Sequence, residues 1–136
     1  MDIKILVVDD EENITSSLKR YFKLMDYKVD SCNSPVEALE MIYKHNYKVV
    51  ISDISMPEMT GIELLQKIKE YNGMIQVIMI TGVVTVENVL GGLKGGANEC
   101  LLKPLDDLEE LKSAVDHSIA KLEKWEGMLK TMVRRK

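Results

Sequence analysis

The chain lacks most features of secreted, membrane-spanning or metal-cysteine proteins. Its two cysteines, Cys32 and Cys100, lie far apart and show neither CxxC nor metal-ligand spacing. No apolar run approaches the roughly 18 residues that cross a bilayer, and the acidic N-terminus is unlike a signal peptide. These absences predict a reduced, soluble, cytoplasmic protein with no membrane role.

An excess of basic charge is also missing. The sequence carries 18 Lys and Arg against 22 Asp and Glu, a formal net charge of −4. Sequence-independent attraction to nucleic acid depends on basic side chains. We therefore expect no direct nucleic-acid binding by this chain.

What is present fits one compact domain. The chain has 136 residues, of which 46% are hydrophobic and 29% charged, close to ordinary globular usage. Domains most often contain about 100 to 150 residues, so two full domains would not fit.

Short apolar segments rich in Val, Ile and Leu alternate with segments of helical spacing. The apolar segments predict five strands, at Ile3–Val8, Lys28–Cys32, Val49–Ser52, Gln76–Ile80 and Glu99–Leu102. The others predict five helices, at Glu12–Met25, Pro35–Lys44, Gly61–Tyr71, Val86–Lys94 and from Asp107 onward. Ser34, Thr60 and Asp106 each precede a glutamate by three residues, which is the spacing of a capping box.

Apolar strands that are each followed by a helix predict an α/β fold with a parallel sheet covered on both faces. Doubly wound five-stranded sheets commonly adopt the flavodoxin-like order 2-1-3-4-5. We predict that order, with five helices of which the last is extended.

The last helical segment is longer than a closing helix requires. Its apolar positions follow a 3.5-residue repeat to the chain end, interrupted by Ser118, at Leu108, Leu111, Val115, Leu122, Trp125, Leu129 and Met132. We expect about half of this helix to project and to meet another helix, from its own copy or from a neighbouring segment. The alternative is a packed helix with a frayed end.

Residues that follow the predicted strands suggest a site at one edge of the sheet. Asp9 and Asp10 follow strand 1, Asp53 follows strand 3, Thr81 follows strand 4 and Lys103 follows strand 5. Ligands of open α/β sheets bind at the carboxyl ends of the strands. If strands 1 and 3 are neighbours, three carboxylates converge there beside a hydroxyl and an ammonium group.

Such a carboxylate cluster favours Mg²⁺, because a hard divalent cation relieves the repulsion and also binds phosphate oxygens. One carboxylate can then attack phosphorus to form an aspartyl-phosphate, with Lys103 and Thr81 binding phosphoryl oxygens. Each residue alone would be read as a turn or cap residue. The joint occurrence in four of five strands indicates the phosphoryl-transfer site instead.

These residues lie in motifs that resemble the receiver domain of bacterial response regulators. The motifs are VVDDE, ISDISMPEMTG around Asp53, ITG at Thr81 and GANECLLKPL around Lys103. The resemblance covers residues 3 to about 120. It divides the chain into a receiver domain at 1–120 and a C-terminal helical extension at 121–136 that serves as a coiled coil or a linker.

The resemblance implies a phosphorylation switch of a two-component system rather than a metabolic enzyme. A sensor histidine kinase or phosphotransfer protein would donate the phosphoryl group from a phosphohistidine to Asp53. Asp9, Asp10, Asp53 and the backbone carbonyl of Ser55 would ligate Mg²⁺, and Thr81 and Lys103 would bind the phosphoryl group. The output would be an unknown output domain or partner protein, and a homodimer through the C-terminal helix is a further expectation.

The sequence departs from the family pattern at the switch position. Cys100 stands where the family usually has an aromatic switch residue, and a cysteine has no ring to swing between buried and exposed positions. Ser55 and Val83 occupy positions that in the family influence how fast the phosphoryl group is lost. Four glycines, at 91, 92, 95 and 96, predict either a fourth helix that phosphorylation orders or close packing on a neighbour.

Three other functions fit the residues less well. A metal-dependent phosphatase with an aspartyl nucleophile usually has a second aspartate two residues later, where this chain has Ser55. A flavin-binding module needs a phosphate-cradling loop after strand 1, where this chain has four acidic residues. The third is a degenerate receiver used only as an interaction surface, yet all five site residues are present.

Overall fold

A computed structural model describes residues 3–83 and 85–134 and contains alternating strands and helices. The strands are β1 (Lys4–Val8), β2 (Lys28–Cys32), β3 (Val49–Asp53), β4 (Gln76–Thr81) and β5 (Glu99–Leu102). The helices are α1 (Glu12–Leu24), α2 (Pro35–Lys44), α3 (Gly61–Tyr71), α4 (Val86–Gly95) and α5 (Leu108–Arg134).

The five strands form one parallel sheet in the order β2-β1-β3-β4-β5. The predicted flavodoxin-like order is confirmed. Alternate strand residues point to opposite faces. Leu6 and Val8 of β1 therefore join a core with α2 and α3, whereas Ile5 and Val7 join a second core with α1 and α5. This arrangement explains why the strands are apolar throughout.

Two strands extend one residue beyond the predicted ends. Asp53 is the last residue of β3 and lies in register with Ile80 of β4, so it is a strand residue rather than the residue after a strand. Thr81 likewise closes β4 opposite Leu102 of β5. Pairing with the neighbouring strand fixes both side chains on the sheet itself.

The start of the last helix differs from the prediction at its cap. The N–H of Glu109 donates to the Oδ1 of Asp107 at 3.0 Å, and α5 begins at Leu108. Asp107 therefore caps the helix, and the prediction of a capping box at Asp106 was wrong. The capping box at Thr60 is confirmed, and Ser34 is confirmed as a cap because its hydroxyl accepts from the N–H of Glu37.

The glycines of α4 allow this helix to pack closely on α3. A Cβ built on Gly95 would lie 2.6 Å from Leu65, and one built on Gly91 would lie 3.3 Å from Ile62. Gly96 has a φ of +87° and ends the helix in the left-handed conformation. Close packing thus accounts for Gly91 and Gly95 and the left-handed conformation for Gly96, and ordering by phosphorylation remains a prediction.

Helix α5 runs without a break across residue 120, so the boundary predicted there remains a prediction. The helix packs on the sheet as far as Leu122, which is 1% exposed, and its apolar side chains beyond that point are exposed. Residues 135 and 136 of the predicted extension lie outside the described residues. Within the described ranges, no helix is long and apolar enough to cross a membrane.

Candidate functional site

Three carboxylates meet at the carboxyl edge of the sheet, where β1 and β3 are neighbours. Asp9, Asp10 and Asp53 can each offer a ligand atom such that these atoms lie within 4.8 Å of one another. Asp9 and Asp53 are buried, at 0% and 4% exposure, whereas Asp10 is exposed. Asp9 and Asp53 are 44 positions apart in the sequence. The tertiary fold brings them together because Asp9 follows β1 and Asp53 ends β3, and these strands are neighbours.

Asp9 is held by hydrogen bonds from Glu11 and from Asn33, which lies after β2. Its Oδ1 accepts from the N–H of Glu11 at 2.9 Å. Its carbonyl oxygen accepts from the amide of Asn33 at 2.9 Å, and the same amide donates to Thr15 at 2.9 Å. Asn33 was not among the predicted site residues. Its position beside strand 1 in the predicted order was the signal that could have identified this positioning role.

Among the described residues, Lys103 is the cation that lies within hydrogen-bond distance of this cluster. Its Nζ lies 2.8 Å from the Oδ2 of Asp9 and 3.4 Å from the Oδ2 of Asp53, and its side chain is only 14% exposed. The peptide bond between Lys103 and Pro104 is cis. One ammonium group thus lies between two buried carboxylates.

The negative charge of the cluster is not fully balanced by Lys103. The buried Oδ2 of Asp9 accepts no well-aligned hydrogen bond, although Lys103 lies close enough to form an ion pair. We attribute the difference to orientation, because an ammonium ion attracts a carboxylate even where its N–H does not point along a lone pair. Three carboxylates and one ammonium leave an excess of negative charge. The donor set therefore suits a hard divalent cation that takes oxygen ligands.

Burial and neighbouring charges shift the acidity of both partners. Burial raises the pKa of Asp53, and the charge of Asp9 raises it further, against the opposing effects of Lys103 and the N–H of Ile54. Burial alone would lower the pKa of Lys103, but its contacts with Asp9, Asp53 and Glu11 outweigh burial and raise it. Lys103 therefore remains an ammonium ion, and Asp53 lies where its negative charge is disfavoured without a further cation.

Thr81 closes β4 with its hydroxyl turned to the following loop. Its Oγ1 donates to the carbonyl of Val83 at 2.9 Å and accepts from the N–H of Val83 at 3.1 Å. The Val83 carbonyl also accepts from the side-chain amide of Asn88 in α4 at 3.2 Å. In the described part of the chain, the hydroxyl makes no hydrogen bond to Asp53. The strand order thus places Thr81 near the site, but its hydroxyl is hydrogen-bonded to Val83, whose carbonyl also accepts from Asn88 of α4.

The loop between β3 and α3 places helix α3 directly against the end of β3. The N–H of Gly61 donates to the carbonyl of Ile54 at 2.7 Å, and a Cβ on Gly61 would lie 2.1 Å from the carbonyl oxygen of Asp53. Only glycine allows this approach. Ser55 lies in this loop and is exposed. Gly61 was not among the predicted site residues, although its position at a helix start was visible in the sequence.

A mostly apolar groove adjoins Lys103. It has a volume of about 520 Å³ and lies between α1 and the segment that joins β5 to α5. Ile14, Leu18, Leu105 and Leu108 line it, together with Pro104. The carboxylate cluster therefore borders a mostly apolar groove, and Lys103 is common to both.

Comparisons with known proteins show the family of this chain. The family described as "Response regulator receiver domain" matches residues 5–116. The transcriptional regulatory protein ZraR of Escherichia coli K12 is 35% identical over 119 residues, which cover 88% of this chain and 27% of that protein. The chain therefore spans about a quarter of the length of this relative.

Solved structures show the same fold. A receiver domain protein (CheY-like) from Methanospirillum hungatei JF-1 has a TM-score of 0.87 and 29% identity, covering 91% of this chain and 98% of that chain. The response regulator protein TrrA from Thermotoga maritima, in complex with Mg²⁺-BeF, has a TM-score of 0.77 and 32% identity, covering 85% of this chain and 98% of that chain. The chain therefore belongs to the receiver domains of two-component response regulators, a family of phosphorylation-dependent signalling domains.

Proposed function

We propose that Asp53 is the phosphoacceptor of this receiver domain. The observation that carries the proposal is the position of its carboxylate: almost fully buried, 3.4 Å from Lys103 and within one cluster with Asp9 and Asp10. An aspartate carboxylate is an established nucleophile toward phosphorus. One Oδ of Asp53 would form the new P–O bond while the P–N bond of a phosphohistidine breaks, with the bonding electron pair leaving on the imidazole nitrogen.

Four groups would hold Mg²⁺ beside the acceptor: the carboxylates of Asp9, Asp10 and Asp53 and the backbone carbonyl of Ser55. The buried Oδ2 of Asp9, which accepts no well-aligned hydrogen bond, and the excess negative charge support a divalent cation there. When bound, the metal supplies positive charge that neutralises the phosphoryl oxygens. The complex of TrrA with Mg²⁺-BeF supports the same choice of ion.

Lys103 and Thr81 would bind the transferred group. Lys103 is already charged, and its Nζ lies 2.8 Å from Asp9 and 3.4 Å from Asp53, so it is close enough to pair with a phosphoryl oxygen on Asp53. Thr81 must instead release the Val83 carbonyl before its hydroxyl can donate to a phosphoryl oxygen. Phosphorylation would therefore change the hydrogen bonding of Val83 as well as the charge on Asp53.

The donor would be a sensor histidine kinase or a phosphotransfer protein. The apolar groove beside Lys103 supports a protein donor, because a partner that presents a phosphohistidine to Asp53 has to contact this rim of the site. Ile14 and Leu18 of α1 offer apolar contact area for such a partner. The phosphorylated domain would then act on an output domain or a partner protein. That step requires Mg²⁺-dependent phosphorylation first.

The proposal predicts a Mg²⁺-dependent gain of one phosphoryl group. Incubation with acetyl phosphate and Mg²⁺, followed by intact-mass spectrometry, should show the gain, and chelation of Mg²⁺ with EDTA should abolish it. Acetyl phosphate avoids dependence on an unidentified kinase. If the mass does not change in Mg²⁺, the chain is an interaction surface that has kept the site residues without their chemistry.

Asn88 offers a route from Thr81 to α4 that needs no aromatic switch. Its amide shares the Val83 carbonyl with the Thr81 hydroxyl, so loss of one bond changes the other. Asn88→Ala should leave phosphoryl uptake on Asp53 unchanged but reduce the uptake-linked change in amide exchange across 86–95. The start of α4 should persist, because Thr85 caps the N–H of residue 88 at 3.0 Å.

Glu87→Ala is the matched control, since Glu87 is an exposed neighbour in the first turn of the same helix. Hydrogen exchange with and without acetyl phosphate compares the two variants. If phosphorylation changed amide exchange equally in Asn88→Ala and in the unsubstituted protein, Asn88 would not couple Thr81 to α4.

A further inference from the structure

The last residue of β2 and the residue after it hold the backbone of Asp9 on both sides. The N–H of Asp9 donates to the carbonyl of Cys32 at 3.2 Å. The carbonyl of Asp9 accepts from the side-chain amide of Asn33 at 2.9 Å. The first of these bonds needs no particular side chain, because it joins two backbone groups, whereas the second depends on the asparagine amide.

The bond from Asn33 affects two carboxylates of the acidic cluster. The carbonyl of Asp9 belongs to the planar peptide group that joins Asp9 to Asp10. Fixing this plane restricts the directions that both side chains can take. The carboxylate of Asp9 is also held by the N–H of Glu11 at 2.9 Å, but among the described residues no hydrogen bond or ion pair holds the carboxylate of Asp10. The direction of Asp10 therefore depends on the backbone that Asn33 holds.

Helix α1 orients the amide of Asn33. An asparagine amide carries two N–H donors, and here one serves Asp9 while the other donates to the hydroxyl of Thr15 at 2.9 Å. Thr15 is 1% exposed, and its hydroxyl donates to the carbonyl of Glu12 at 3.1 Å, so its own direction is fixed. A buried threonine thus directs the amide of the exposed Asn33 toward the acidic cluster.

We propose that Asn33 is a positioning residue that raises the affinity of the acidic cluster for Mg²⁺, and that Thr15 acts through it. This inference rests on the proposed magnesium site and deepens it. Metal sites lose affinity about 10- to 100-fold when a group that orients their ligands is removed. Asn33 is exposed, so water can replace part of its hydrogen bonding, and we expect the lower end of this range.

Isothermal titration calorimetry with Mg²⁺, in the absence of a phosphodonor, measures this effect. Asn33→Ala should weaken Mg²⁺ binding about tenfold relative to the unsubstituted chain. Asn46→Ala is the matched control, because Asn46 is an exposed asparagine beyond the far end of α2, and it should bind Mg²⁺ as the unsubstituted chain does. Urea unfolding in metal-free buffer checks that each variant is folded.

A purely structural role of Asn33 predicts a different result. Loss of a loop contact would lower the free energy of unfolding, whereas the Mg²⁺ affinity of the folded protein would stay the same. The positioning role predicts weaker Mg²⁺ binding by the folded variant. It also predicts that the rate of phosphoryl uptake from acetyl phosphate recovers once Mg²⁺ is saturating, because only the affinity is reduced.

Thr15→Val tests whether Thr15 acts through Asn33. The substitution removes the hydroxyl and keeps a side chain of similar shape. Alone, it should weaken Mg²⁺ binding by less than Asn33→Ala does. Combined with Asn33→Ala, it should add no further loss, because the amide that it orients is already absent. Losses that multiply in the double variant would contradict this role of Thr15.

Two results of the calorimetry would overturn the role of Asn33 and leave the magnesium site intact: equal Mg²⁺ affinity in Asn33→Ala and the unsubstituted chain, or an equal loss in Asn46→Ala. Failure of the unsubstituted chain to bind Mg²⁺ would instead overturn the proposed magnesium site and this inference with it. Titration of the unsubstituted chain therefore distinguishes the two failures.

Discussion

Asp53→Ala should take up no phosphoryl group from acetyl phosphate in Mg²⁺, whereas the unsubstituted chain gains one. The variant removes the only carboxylate in the site that we assign as nucleophile. Asp9 is fully buried and already engaged by the N–H of Glu11 and by Lys103, so it should not replace Asp53. Asp10 is exposed and lies beyond hydrogen-bond distance of Lys103 in the described contacts.

Intact-mass spectrometry measures this loss, with Glu40→Gln as a matched control. Glu40 is an exposed carboxylate in α2, away from the acidic cluster, so its loss should leave phosphoryl uptake unchanged. Asp53→Ala should remain folded in metal-free buffer, because it removes one of two buried carboxylates that share a single cation. A phosphoryl gain in the folded Asp53→Ala variant would show that another side chain is the acceptor.

Lys103→Met should lower the free energy of unfolding by about 3 to 5 kcal/mol in metal-free buffer. The substitution leaves Asp9 and Asp53 buried without a counter-charge, and the Oδ2 of Asp9 has no aligned hydrogen-bond donor to compensate. Added Mg²⁺ should restore part of the loss, because a ligand that binds only the folded state stabilises it. The Mg²⁺-induced gain should exceed that of the unsubstituted chain, in which Lys103 already neutralises part of the cluster.

Urea unfolding with and without Mg²⁺ measures both effects. Lys112→Met is the control, because Lys112 forms an ion pair with Asp116 at 2.8 Å in a more exposed setting. Exposed pairs contribute about 1 kcal/mol or less, so this variant should lose little stability and respond to Mg²⁺ as the unsubstituted chain does. An equally stable Lys103→Met variant in metal-free buffer would contradict the electrostatic description of the cluster.

Local patterns in the sequence determined the helices and strands and indicated the candidate site residues. Continuous apolar runs followed by helical spacing predict a parallel α/β sheet, because only strands buried on both faces are apolar throughout. The residues after those runs placed Asp9, Asp53, Thr81 and Lys103 near one edge. The sequence alone also marked the extended last helix, since the 3.5-residue repeat continues beyond the length one sheet can cover.

Only the tertiary structure decided which of these groups touch. The contact of Lys103 with Asp9 at 2.8 Å, the support of Asp9 by Asn33 and the bond from Thr81 to Val83 join residues whose distance depends on packing and rotamers. The cap at Asp107 and the close approach at Gly61 depend likewise on how a helix meets its strand. Periodicity reports which face a residue occupies, whereas side-chain contacts between distant segments are set by the packed fold, and no local pattern contains them.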